Sequence, residues 1–167
     1  MPTVPNITLS WDLFVLLFFA VVIIYSILLG RNKIVGLLVN FYISLAVVLA
    51  AGETIYGWVA NLGFVSARLA VTPFSVSVIT LFVLTTILSI KSEIAGLDSG
   101  GTISKMQAGI YGFLAAGLVL STAFHFMSDA SRIALDSNFV NIVAGYFVIW
   151  VIAPIILMIA TSFIKKI

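Results

Sequence analysis

Glu53 and His125 are the residues of this chain best suited to proton chemistry, because each falls beside a long apolar stretch. A carboxylate and an imidazole brought to one depth could pass a proton between them. Both positions, however, lie near the ends of apolar runs, where ordinary hydration accounts for them as well. The surrounding inventory narrows the chemistry further. There is one histidine and no cysteine, which excludes disulfides, thiol nucleophiles, Cys-based metal sites and most His-rich ones. No Ser/His/Asp set, no His-Glu-x-x-His pattern and no pair of carboxylates inside an apolar run occurs. Gly96 to Thr102 is glycine-rich, but the lysine spacing and preceding strand of a phosphate loop are missing. The expectation is a non-enzymatic protein without metal or cofactor.

The remaining polar groups of interest are uncharged. Asn40 sits inside an apolar run on a stripe with Gly36 and Ser44. A lone asparagine in such a place makes an interhelical hydrogen bond or contacts a passing substrate. Ser75, Ser77, Thr80, Thr85, Thr86 and Ser89 share another run. Their hydroxyls can bond back to their own helix carbonyls or line a narrow wet path, Thr80 and Thr85 most directly.

Five apolar runs must position these groups: 11–29, 34–51, 73–90, 108–127 and 139–164. Each approaches the 17 to 25 residues that cross a hydrocarbon core of roughly 30 Å. Hydrophobic residues make up 62% of the chain and charged ones 8%, against about a quarter charged in soluble proteins. The fold class expected is therefore all-α integral membrane, a polytopic bundle of about five transmembrane helices forming one domain over residues 1–167. The nominal pI near 9.0 does not point to nucleic acid, since the net charge is only +2 and the bases cluster at run ends. The bilayer is the expected partner.

Lys and Arg in short loops mark the inner side of a membrane protein. Arg31, Lys33, Lys91, Lys105, Lys165 and Lys166 fall on one side, with Glu93 and Asp98, for a net +4. Arg68 and Arg132 fall on the other with Asp12, Glu53, Asp129 and Asp136, for a net −2. With five crossings this places the N-terminus outside and the C-terminus inside. Residues 53–69 are too polar to span; their apolar residues follow helical spacing, which predicts a short amphipathic helix on the outer surface. Thr72 and Pro73 predict a helix start, as N-cap and first helical residue. The short turn from Gly30 to Lys33 predicts that runs one and two form an antiparallel hairpin. In run five, Pro154 removes a backbone donor and predicts a kink.

Run four carries the packing signal. Ala108, Gly112 and Ala116 recur every fourth residue, with Gly109 and Gly117 beside them. Small residues at this spacing let membrane helices approach backbone to backbone. Whether the partner helix lies in the same chain or in another copy is left open by the pattern.

Asp12 at the start of the first run, Gly30-Arg31 at its end, Gly96-Leu97, Gly100-Gly101-Thr102, Gly109, Gly112 and Gly117 together resemble the bacterial colicin V production protein family. The resemblance covers most of residues 11–127. It implies a small protein of the bacterial inner membrane, associated with toxin export and envelope maintenance, with no catalytic residues to carry over. The expected role is an assembly, export or envelope-maintenance factor acting through helix association, as a homo-oligomer or within a larger membrane complex. The alternatives are a pore, channel or transporter subunit, and an accessory subunit of a larger complex.

Overall fold

The computed structural model describes residues 11–62, 72–91, 102–133, 135 and 138–164. Every regular element among them is helical: α1 (Trp11–Leu29), α2 (Arg31–Ala60), α3 (Pro73–Lys91), α4 (Thr102–Phe126), α5 (Asp129–Ile133), α6 (Asn138–Gly145) and α7 (Phe147–Ile164). Four of these helices are long and apolar enough to cross a membrane, and the bent pair α6 and α7 makes a fifth if counted as one span. The chain is thus compatible with an integral membrane protein.

α4 is the hub. It packs most extensively on α1 and also meets α2, α3, α6 and α7, while α2 and α3 form the second extensive pair. Two cores follow from this arrangement. The larger joins α2, α3 and α4 through Leu38, Phe41, Leu45, Leu81, Tyr111 and Leu118. The smaller, built from Val15, Leu120, Phe124, Val140 and Val143, joins α1, α4 and α6. The start of α3 is closed locally. Thr72 Oγ1 accepts the Ser75 amide at 3.1 Å, so α3 starts at Pro73 as its Thr-Pro pair predicts.

Three features depart from the sequence pattern. α2 does not stop at Ala51 and give way to a separate surface helix; it continues unbroken for 30 residues to Ala60, about 45 Å at 1.5 Å per residue. The predicted amphipathic helix is therefore partly an extension of run two, and its remainder, residues 63–69, lies outside the described residues. No proline interrupts this stretch, and the first turn of α3 runs beside it: a Cβ at Gly52 would rest 3.7 Å from Ser77 Oγ.

Run five also bends at a place the sequence does not mark, eight residues before Pro154. The break is at Tyr146, where α6 and α7 meet at 63°, and α7 runs on through Pro154. The cause is anchorage on both sides of the joint: Val140 and Val143 fix α6 in the smaller core, while α7 is tied to α2 and α4.

The hairpin of runs one and two is looser than its turn suggests. A single residue, Gly30, joins the helices, with φ of 82°, a conformation costly for any residue with a Cβ. Beyond this joint α1 leaves α2 and lies against α4 instead.

Candidate functional site

The small residues of α4 are consumed inside the chain. Ala108 and Ala116 are fully buried. A Cβ on Gly109 would rest 3.5 Å from Ile27 of α1, an ordinary contact, whereas one on Gly112 would overlap the Ser26 side chain and lie 3.2 Å from Ile23 Cα. At Gly112 the two backbones therefore approach as closely as the absence of a side chain allows. Gly117 faces the other way, and a Cβ there would overlap the Trp150 ring of α7. One stripe thus seats two different helices.

The Gly36, Asn40 and Ser44 stripe of α2 is buried. Asn40 Nδ2 donates to Ser89 Oγ on α3 at 3.3 Å, and Ser89 Oγ donates in turn to the Thr85 carbonyl at 2.6 Å. Ser44 donates to the Asn40 carbonyl. The two path-lining candidates differ: Thr85 Oγ1 donates to the Leu81 carbonyl at 2.8 Å, while Thr80 is half-buried more than a turn nearer the start of α3. Thr86 also bonds within its helix, to Phe82. Hydroxyls satisfied in this way need no water column beside them.

No hydrogen bond or ion pair joins Glu53 and His125 among the described residues. The His125 ring stacks on Phe147, with centroids 4.2 Å apart and planes 6° from parallel. Glu53 instead borders a groove of about 480 Å³ with Val48, Gly52, Tyr56, Pro73, Ser77 and Phe126.

Four interactions important to the architecture carry no signal in the hydropathy pattern. Tyr42 of α2 donates its hydroxyl to the Val151 carbonyl of α7 at 2.6 Å. A tyrosine in an apolar run needs a partner for its hydroxyl, and the carbonyl it takes is next to that of Trp150, which Pro154 leaves without its helical donor. Tyr111 and Thr161 share a buried hydrogen bond of 2.7 Å between α4 and α7. Arg31 Nη1 donates to Gln107 Oε1 at 3.1 Å, closing α2 on α4. Asp12 Oδ1 accepts the Phe139 amide at 3.2 Å, so the first helix caps α6 with a charge that suits a helix N-terminus.

These ties fix the direction of every long helix. Arg31, Lys33, Lys91 and Lys105 gather at one end of the bundle, and Asp12, Glu53 and Asp129, with Arg132, at the other. Arg132 bonds Asp129 at 2.6 Å.

Near the basic end, two cavities adjoin between α1, α2 and α3. One, of about 220 Å³, is lined by Tyr25, Leu29, Lys33, Gly36, Leu37, Asn40 and Ser89. The second, of about 300 Å³, shares Tyr25 and Leu37 with it and continues inward past Phe18, Leu38, Phe82 and Leu118. No family model, curated protein or solved structure matches the chain.

Proposed function

We propose that this is a non-enzymatic, multi-span protein of the bacterial inner membrane, with the N-terminus outside and the basic end inside. It acts by helix association, as an assembly, export or envelope-maintenance factor of the kind the colicin V production resemblance implies. One observation carries this reading: polar groups within the bundle tie helices together, and the outward faces are apolar. Leu28 is 79% exposed and Ile90 76%, with Leu16, Leu17 and Ile24 all above half. Such faces are stable against lipid or another apolar helix, not against water. The charge asymmetry of the two ends supports the orientation. The pore alternative gains little support, because the α3 hydroxyls turn back on their own helix.

The absence of cysteine gives a clean background for testing both parts. Single cysteines placed at Lys33 and Glu53 in cells are expected to react with a membrane-impermeant maleimide only at position 53. Labelling at 33 alone reverses the orientation. Purification in mild detergent is expected to yield an oligomer or one defined complex. A bare monomer that conducts ions in liposomes would replace the assembly reading with a pore.

A further inference from the structure

The two adjoining cavities form one crevice with a polar mouth and an apolar interior, and we propose that it binds a phospholipid with an anionic headgroup. One acyl chain lies in the slot between α1 and α3, and the phosphate lies at Lys33. The inference rests on the membrane reading above.

The slot is dry by construction. Two hydroxyls border it, Ser26 and Thr85, and each donates to a carbonyl of its own helix, Ser26 to Val22 at 2.7 Å and Thr85 to Leu81 at 2.8 Å. The other linings are aromatic or aliphatic, apart from Tyr25 at the mouth. A polar solute would lose its hydrogen bonds there and gain none.

Dimensions select the occupant. From Phe18 to Leu29 the crevice follows α1 for about 17 Å at 1.5 Å per residue, close to one leaflet, half of a core of roughly 30 Å. A partner helix of that length and about 10 Å diameter occupies on the order of 1,300 Å³. The two cavities along that length offer about 220 and 300 Å³, well short of a helix and enough for a single hydrocarbon chain.

The mouth supplies the headgroup chemistry. Lys33 is exposed, and it is the cation that lines the crevice. It sits two turns from the Asn40–Ser89 hydrogen bond, so a phosphate at the ammonium places ester oxygens toward that polar pair. Basic pockets between helices on the inner side attract anionic lipid in this manner.

The test uses the full chain in vesicles containing spin-labelled phosphatidylglycerol or spin-labelled phosphatidylcholine, reading the motionally restricted fraction. The natural chain is expected to restrict the glycerol lipid about fivefold more strongly, the ratio equivalent to about 1 kcal/mol for one basic residue near the surface. Lys33→Gln should abolish most of that preference, whereas Lys105→Gln, at the same end but outside the crevice, should preserve it. Thr85→Trp should fill the slot and remove the preference, with helix content by circular dichroism confirming the fold. Equal restriction of both lipids by the natural chain overturns the proposal, as does equal loss in Lys33→Gln and Lys105→Gln. If the chain fails to float with vesicles, the membrane reading itself falls; insertion with no lipid preference defeats only this inference.

Discussion

The two main seams of the bundle solve the same packing problem in opposite ways. α1 meets α4 through glycine, with Gly112 against Ile23 and Ser26 and no room for another atom. α2 meets α3 through side chains, with the Asn40–Ser89 hydrogen bond across the seam and cavities of about 220 and 480 Å³ along it. Dispersion falls steeply with distance, so the first seam is tightly matched and intolerant. The second has space to readjust. The difference predicts that the glycine contact at Gly112 is less tolerant of substitution than the Asn40–Ser89 contact.

Substitutions can break or sharpen this contrast. Gly112→Leu places four carbons where a Cβ already overlaps, and should cost about 3 kcal/mol or more. Unfolding in mixed micelles by increasing the sodium dodecyl sulfate fraction gives the value, and a loss below about 1 kcal/mol would remove the distinction between the seams. Asn40→Ala removes the cross-seam bond of α2 and α3, and should cost up to about 1.7 kcal/mol in the same titration. A loss comparable to that of Gly112→Leu would make the second seam as rigid as the first. Tyr42→Phe deletes one hydroxyl at the Val151 carbonyl and should cost about 1 kcal/mol. Its distinctive readout is faster hydrogen exchange in α7 around Val151, and unchanged exchange there would remove Tyr42 from the tie. Gly109→Ala is the smallest effect, near zero or slightly stabilising, because its Cβ meets Ile27 at an ordinary 3.5 Å while the unfolded chain loses freedom. A clear destabilisation would show that the tight contact extends a full turn beyond Gly112.

The apolar runs were legible because burial in lipid or protein demands continuous hydrophobicity, and the bounds of α1 coincide with run one. The small-residue spacing of run four also identified a close-packed helix. Its partners were not legible: Gly112 and Gly117 look alike in sequence, yet one seats α1 and the other α7. Nearly uniform apolar helices give no angular signal to choose between neighbours. The continuity of α2 past Ala51 was hidden because Gly52 and Glu53 interrupt the apolar run, so the stretch beyond them reads as a separate surface helix and not as part of the same one. Local chemistry pointed to Pro154 as the kink of run five, but the 63° break at Tyr146 carries no proline and falls between two helices anchored on different surfaces.

The departure of α1 from its sequence neighbour also sets an order of events in synthesis. Its main partner, α4, is complete only at Phe126, roughly a hundred residues after Leu29, which at about 5 to 20 residues per second is a delay of about 5 to 20 s. For that interval the face containing Ile23, Ser26 and Ile27 lacks its partner α4. α1 is thus made well before it can be seated, and during the wait its polar Ser26 is shielded by the bond to the Val22 carbonyl.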